Sequence, residues 1–257
     1  MRHSAARPTT DLTAYDLYLR ALAVVPSSTS DALRLLEQAI ERDSNYGPAL
    51  ARSAICHMLR CQEGRSDDPK SDSRKGADFA RRALQVGGED PGVLANAAFV
   101  LAYFGEDITA MMALVDRALV LNPSYARGWH ISGNIRLWAG YLDQAIEHIE
   151  ASLRLSPRIR VGLHFMVIGA ARFLDRRFDE AIPKLLLGVQ EFPNHAPLHR
   201  CLAACYAHMG LLDEAREVIT RLRVINPVIV PSIVPYRNPE HRELFLSGLR
   251  LAAGETA

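Results

Sequence analysis

Apolar, small and acidic positions return in a fixed order along this chain. Residues 139–157 read AGYLDQAIEHIEASLRLSP, residues 173–193 read FLDRRFDEAIPKLLLGVQEFP, and residues 209–227 read MGLLDEAREVITRLRVINP. Each stretch places a bulky residue, an acidic pair or near-pair and an alanine before a helical run. Each ends at a proline about twelve residues past the alanine. Such repetition predicts one structural unit stacked several times.

The prolines that close these stretches set the period of the repeat. Pro123, Pro157, Pro193 and Pro227 are 34, 36 and 34 residues apart. A period of 34 is that of the tetratricopeptide repeat, a pair of antiparallel helices, and the chain resembles that family. In residues 126–159 the resemblance places an aromatic residue, two small residues and the helix-ending proline at the family's positions: Trp129, Gly133, Ala145 and Pro157.

The spacing predicts six helix pairs within residues 12–229, with repeats at about 13–46, 47–90, 91–125, 126–159, 160–195 and 196–229. We therefore expect an all-α fold, a right-handed superhelical solenoid. Residues 1–11 are predicted to be a disordered tail, and residues 61–76, CQEGRSDDPKSDSRKG, a long polar loop between helices. Pro183 lies inside a predicted second helix, and we expect that helix to be kinked or short.

The pattern changes after Pro227. The stretch VIVPSIVPY has two prolines in nine positions and must be extended, because proline blocks a helix. The next stretch, NPEHRELFLSGLRLAAG, begins with a capping signature and has helical spacing. Residues 230–254 are therefore predicted to be an extended segment and a helix that caps the last repeat, as solenoids require.

Composition and charge narrow the functional classes. The 30 basic and 29 acidic residues give a formal net charge of +1, which offers no electrostatic footprint for nucleic acid or an anionic membrane. The longest apolar stretch, residues 93–104, is shorter than the roughly 20 residues of a membrane span. We predict a cytoplasmic protein whose four cysteines are reduced.

Two groups of side chains could carry chemistry. His195, His199, Cys201 and Cys205 include zinc-ligand types, but cysteines one turn apart on a first helix favour packing. A second group could be acid–base residues, but a solvated helix face is favoured for it: Asp143, Glu147, His148 and Glu150. No phosphate loop or hydrolase motif occurs. We predict no enzyme activity, no metal and no cofactor.

The resemblance to tetratricopeptide proteins implies a binding groove lined by the first helices, which takes an extended or helical peptide. Arg127 and Arg200 would pair with a ligand carboxylate, and Asn134 with a ligand backbone amide. For the aromatic residues, packing between repeats is the competing interpretation. The candidate groove residues are Phe99, Tyr103, Arg127, His130, Asn134, Met166, Arg200 and His208.

Three segments resemble a more particular module. DLTAYDLYLRAL, VLAYFGEDITAMMALVDRALVLNPSYARGW and RNPEHRELFLSGLRLAAG are similar to the C-terminal repeat region of bacterial adenylate/guanylate cyclase-like proteins and winged-helix regulators. This resemblance implies a regulatory or sensory module whose output domain is absent from the chain. A non-catalytic scaffold that binds a protein or peptide, with no nucleic acid or membrane as partner, is the main hypothesis; the cyclase-like or transcriptional module is the alternative.

Overall fold

The computed structural model describes residues 9–25, 27–157 and 161–255. Most of the predicted tail, residues 1–8, lies outside these ranges, as do residues 158–160 at the predicted boundary between the fourth and fifth repeats. The division of the chain into six repeat ranges stays a prediction.

The described residues form thirteen α-helices and no strand. The helices are Leu12–Val24 (α1), Thr29–Arg42 (α2), Gly47–Gln62 (α3), Pro69–Gly87 (α4), Pro91–Tyr103 (α5), Ile108–Leu121 (α6), Ala126–Ala139 (α7), Leu142–Leu155 (α8), Gly162–Leu174 (α9), Phe178–Glu191 (α10), Ala196–His208 (α11), Leu212–Ile225 (α12) and Pro239–Ala253 (α13). Consecutive helices pack as pairs, α1 with α2 through α11 with α12, and α13 follows. The prediction of a helical solenoid with a terminal helix is confirmed.

Small residues allow the two helices of a pair to approach closely. A Cβ atom on Gly133 of α7 would lie 2.8 Å from Ile149 Cδ1 and 3.0 Å from the carbonyl oxygen of Ala145, both on α8. A Cβ atom on Gly169 of α9 would likewise lie too close to the Leu185 side chain and to the carbonyl oxygen of Ala181, both on α10. Because no larger side chain fits there, these two glycines set the distances at which α7 packs on α8 and α9 packs on α10.

The predicted long loop at residues 61–76 is wrong. Only residues 63–68 are non-helical, and α4 begins at Pro69 with Asp68 as its N-cap, whose side chain accepts a hydrogen bond from Ser71 N at 3.0 Å. Polar composition suggested a loop, but aspartate followed by proline is a strong helix start. The added turns are held by Asp72, which is buried and bonds His57 Nδ1 at 2.6 Å and Arg60 Nε at 3.0 Å.

The helix around Pro183 was predicted to be kinked or short, and it is not short, since α10 continues from Phe178 to Glu191 through the proline. Pro183 is the sixth residue of this helix and its side chain is exposed. The flanking core residues Ala181 and Leu185 are completely buried. Packing of these two side chains therefore outweighs the local preference of proline.

The main hydrophobic core runs from α3 to the C-terminal end of the chain. It includes Val234 from the extended segment and Leu244, Phe245 and Leu249 from α13. A smaller cluster joins α1, α2 and α3. The residues after α12 therefore belong to the interior of the molecule and do more than cover its end.

Within the described ranges, none of the helices combines the length and hydrophobicity needed to cross a membrane.

Candidate functional site

The first helices α5, α7, α9 and α11 form the surface that we call the groove. On α5 and α7 its floor is aromatic. Phe99 stacks on Trp138, with ring centroids 4.9 Å apart and planes 8° apart, and Tyr103 tilts against Trp138 at 5.8 Å. Tyr103 and Trp138 are nearly buried, whereas Phe99 is half-buried. These contacts join α5 to α7, as expected if the aromatic residues pack one repeat against the next.

Asn134 lies one turn before Trp138 on α7 and faces the groove. Its side chain is only 3% exposed, and its Nδ2 donates a hydrogen bond to the carbonyl oxygen of His130 at 2.9 Å. Asn134 and the half-buried Met166 of α9 line the same small cavity. The predicted pairing of Asn134 with a ligand amide thus competes with a bond inside its own helix.

His130 and His164 are neighbours on α7 and α9, with ring centroids 4.5 Å apart. His164 Nε2 pairs with the Ser152 hydroxyl at 2.9 Å, while the Nδ1 atoms of both histidines are buried without a hydrogen-bond partner. Burial, reinforced by the nearby His164 and Arg127, lowers the pKa of His130 to about 3. The pair is therefore neutral at physiological pH.

Arg127 lies at the beginning of α7, where its side chain is exposed to solvent yet surrounded by protein on most sides. Its Nε and Nη2 atoms donate to Asn96 Oδ1 at 3.3 and 3.1 Å. Burial and the neighbouring Arg52 lower its pKa. Of the two predicted carboxylate partners, Arg127 is the one whose side chain reaches solvent.

Arg200 does not have the free guanidinium that pairing with a ligand carboxylate requires. Its side chain is 4% exposed, and its three nitrogen atoms donate to three main-chain carbonyls, namely Nε to Ile229 at 3.1 Å, Nη2 to Val228 at 2.7 Å and Nη1 to Gln62 at 3.1 Å. Two of these acceptors follow α12 and the third ends α3. Arg200 therefore holds the chain's own backbone.

The backbone held by Arg200 belongs to residues 226–238, which we call the C-terminal segment. At its other end, the main-chain N–H of Arg237 donates to the carbonyl oxygen of Trp138 at 2.8 Å. The Arg237 guanidinium reaches the carbonyls of Ala102, in the last turn of α5, and of Glu106, between α5 and α6. The C-terminal segment thus crosses the groove from α11 to α5.

A cavity of about 80 Å³ is the space that remains between the groove and the C-terminal segment. Its walls come from groove helices and from the segment, and include Tyr103, Asn134, Trp138, Met166, Arg200, Pro231, Ile233, Pro235 and Tyr236. A single water needs about 10–15 Å³ of such volume, so the cavity has room for a few waters and not for a peptide. In this conformation the groove is filled.

His208, predicted at the groove, is covered by α13. Its Nε2 pairs with the carbonyl oxygen of Leu244 at 2.7 Å, and its ring stacks on Phe178 at 5.6 Å. A Cβ atom on Gly248 would lie 2.8 Å from both Ala204 Cβ and His208 Nε2. The terminal helix therefore lies on the face of α11 that was predicted to take a ligand.

The residues considered for metal or acid–base chemistry are bonded to other parts of the protein, buried or exposed. His199 Nε2 pairs with the Pro193 carbonyl at 2.7 Å, and Cys201 and Cys205 are buried on α11. His148 is half-buried, with Nδ1 3.0 Å from the Ser132 hydroxyl, whereas Glu147 is exposed. Over the part of the chain that the structure describes, no three His, Cys, Asp or Glu side chains are placed to hold a metal ion.

Sequence reasoning missed two residues that position the C-terminal segment. Arg237 follows the apolar stretch, and Asn226 precedes Pro227 in what resembles an ordinary helix end. Asn226 is completely buried, and its Nδ2 donates to the carbonyl oxygen of Glu63 at 2.7 Å. The available signal was the absence of charge between Pro227 and Tyr236, since an uncharged apolar stretch of that length must be covered.

Comparison with known proteins places the fold. No protein-family model matches the chain, and no curated protein matches it. Similar solved structures include a human IFIT1 dimer with PPP-AAAA, at TM-score 0.65 and 18% identity, covering 81% of this chain and 49% of that chain. A structure described as the APC/C hetero-tetramer Cut9–Hcn1 is similar at TM-score 0.61 and 15% identity, covering 92% of this chain and 46% of that chain.

A third similar structure is PilW, described as a widely conserved type IV pilus biogenesis factor. It has TM-score 0.59 and 15% identity, and the match covers 91% of this chain and 99% of that chain. These neighbours are tetratricopeptide-repeat solenoids. At such low identity the likeness is one of fold, and the chain has the architecture of a tetratricopeptide solenoid.

Proposed function

We propose that this chain is a non-catalytic scaffold that binds an extended polypeptide in the groove of α5, α7, α9 and α11. One observation carries the proposal: the groove holds an extended polypeptide, the C-terminal segment. Arg200 binds that segment through the Val228 and Ile229 carbonyls, which every polypeptide offers. The floor of Phe99, Trp138 and Met166 supplies apolar contact area.

The contacts resemble those by which grooves in other proteins bind peptides. Main-chain bonds supply affinity that does not depend on sequence, and side-chain pockets supply selectivity. Arg127 and Asn96 extend the polar edge of the groove at the beginning of α7 and near the middle of α5. This edge lies outside the residues that line the filled cavity. We propose Arg127 as the carboxylate-binding residue in place of Arg200.

The experiment compares two variants of the full chain that introduce the same residue. Met166→Glu places a carboxylate in the groove, and Gln144→Glu places one on the exposed face of α8. Proteins retained by immobilised wild-type chain are identified by mass spectrometry, and the strongest binder is purified. We expect its affinity to fall at least about tenfold for Met166→Glu, because a buried unpaired charge is costly, and to stay unchanged for Gln144→Glu. Equal binding to both variants would move the site away from the groove.

We further propose, on the three sequence segments alone, that the partner is the output domain of a cyclase-like or winged-helix regulator and that binding occurs in the cytoplasm. Either domain encoded beside this chain, and bound by it in purified form, would support this proposal. A binder of another class would leave the scaffold function standing and remove the regulatory one.

A further inference from the structure

We propose that the C-terminal segment is a resident ligand of the groove, and that the external partner presents a segment of the same chemistry and displaces it. This inference rests on the proposed function. The partner segment would be extended, uncharged over about ten residues, interrupted by prolines and followed by an arginine.

The length and charge of the external segment follow from the resident one. Residues 227–236 read PVIVPSIVPY and carry no charged side chain. Pro231, Ile233, Pro235 and Tyr236 line the cavity together with groove residues. The prolines fix their own φ angles, so an extended segment of this kind loses little conformational entropy when it binds. An acidic or helical segment would not match these contacts.

The arginine requirement follows from the end of α5. The Arg237 guanidinium donates to the carbonyls of Ala102 and Glu106, and its Nη1 donates to the Pro235 carbonyl at 2.7 Å. The Ala102 carbonyl is in the last turn of α5 and also accepts from Gly105 N at 3.3 Å, and Glu106 follows the helix. A helix C-terminus carries partial negative charge, and a carbonyl oxygen has two lone pairs. A cation is therefore favoured at this place, and the five donors of arginine can reach several carbonyls at once.

Displacement is required because the two segments cannot share the groove. The remaining cavity of about 80 Å³ has no room for a second chain. A tethered segment competes at an effective concentration on the order of millimolar. An external segment can bind only those molecules in which the resident segment is released. Its apparent affinity is therefore its intrinsic affinity multiplied by that released fraction.

The test uses the full chain and a fluorescein-labelled synthetic peptide, NPVIVPSIVPYRN, with binding followed by anisotropy. Val234→Asn loosens the resident segment, because Val234 is 8% exposed and belongs to the main core. Ser232→Asn is the matched control, since Ser232 is exposed two residues earlier. We expect the peptide to bind Val234→Asn at least about tenfold more tightly than wild type, and to bind Ser232→Asn as it binds wild type.

A scrambled peptide of the same composition should bind none of these proteins. Equal affinity of the correct peptide for wild type and Val234→Asn would overturn the displacement proposal. If Val234→Asn loses its helical circular dichroism, Arg237→Gln takes its place, because it removes the guanidinium bonds and leaves the apolar side chains intact. The same gain in affinity is expected for it.

Adding Met166→Glu to the loosened variant separates the two proposals. If the double variant still binds the peptide tightly, the peptide does not occupy the groove, and the proposed function fails with the inference. If Met166→Glu abolishes binding but loosening has no effect, the inference alone fails. Sedimentation of the loosened variant supplies a third outcome. A dimer would assign the groove to the C-terminal segment of a second copy and would overturn the external partner.

Discussion

Three histidines with strongly lowered pKa values are the most unusual residues of this molecule. The pKa of His130 is lowered to about 3, and the pKa values of His148 and His195 to about 4, in each case mainly by burial. His130 Nδ1 and His195 Nε2 have no hydrogen-bond partner, so no nearby acceptor stabilises a protonated ring. The folded state therefore requires these imidazoles to be neutral.

The free energy of unfolding should fall as the pH drops below about 6.5. Below that value the unfolded chain binds protons that the folded chain excludes, so stability is complete above 6.5 and is lost as the pH approaches 4. Each histidine contributes a slope of up to about 1.4 kcal/mol per pH unit in this window. Urea unfolding at pH 7.5, 6.5, 5.5 and 5.0 measures the slope.

The control for this prediction is His130→Gln, which removes one of the titrating groups. Its stability should depend less steeply on pH than that of wild type. An identical slope for the two proteins would show that His130 does not titrate between the folded and unfolded states.

Single residues of the groove were predictable in position and only partly in role. The repeat spacing placed Asn134, Met166 and Arg200 on the first helices, where the structure has them. The repeat spacing could not show that Arg200 donates hydrogen bonds to the Val228 and Ile229 carbonyls, because those acceptors come from a segment outside the repeat pattern. A periodic signal describes contacts within and between repeats and carries no information on a segment that crosses them.

Among the elements, α4 and α10 show where local signals mislead. The first turns of α4 were mistaken for a loop because their residues are polar, and the buried Asp72 that holds them pairs with residues distant in sequence. The existence of the helix pairs followed from the 34-residue period. The beginnings and ends of helices depend on tertiary contacts, which override local preference.

Two residues of α10 that disfavour helices should respond in opposite ways to alanine. Pro183 is exposed and removes one main-chain hydrogen bond, so Pro183→Ala should stabilise the protein by about 1–3 kcal/mol. A Cβ atom on Gly188 would lie 2.6 Å from Leu198 Cδ2 and 3.0 Å from the Gly162 carbonyl oxygen. Gly188→Ala should therefore destabilise the protein, although alanine is the better helix former.

Chemical denaturation of both variants measures these opposite effects. A gain below about 0.5 kcal/mol for Pro183→Ala would mean that α10 accommodates the proline without strain. Stabilisation by Gly188→Ala would mean that α9 and α11 move apart from α10 more easily than their packing indicates.

At the scale of the whole molecule, two contacts tie the end of α3 to Arg200 of α11 and to Asn226, which follows α12. Asn226 Nδ2 binds the Glu63 carbonyl, and Arg200 Nη1 binds the Gln62 carbonyl, across 163 and 138 positions of sequence. In an ordinary solenoid each repeat contacts only its neighbours. Here α3 and the C-terminal segment meet directly, and the array is closed by contacts that no repeat period encodes.

Gly64→Ala should break this closure. Gly64 has a φ of +65°, and a Cβ atom there would lie 2.6 Å from Asn226 Cγ, so the buried amide must move. Gly210→Ala is the matched control, because Gly210 has a φ of +77° with nothing within 4 Å. In both variants, left-handed backbone strain should lower the free energy of unfolding by about 1 kcal/mol. Gly64→Ala should lower it by about 1–3 kcal/mol more, since buried hydrogen bonds are broken.

The difference between these two variants is measured by urea denaturation. Equal losses would mean that Asn226 leaves its position without penalty and that the closure contributes nothing to stability. The unfolding midpoint of Gly210→Ala serves as the reference for backbone strain alone.

The helices of the groove and the segment that fills it are synthesised at different times. Every helix that forms the groove is synthesised before residues 226–238. At about 5–20 residues per second, those thirteen residues take roughly one to three seconds to add. During translation the aromatic floor of Phe99 and Trp138 is therefore made before the segment that covers it. A nascent chain whose groove helices have folded can meet another polypeptide before its own segment arrives.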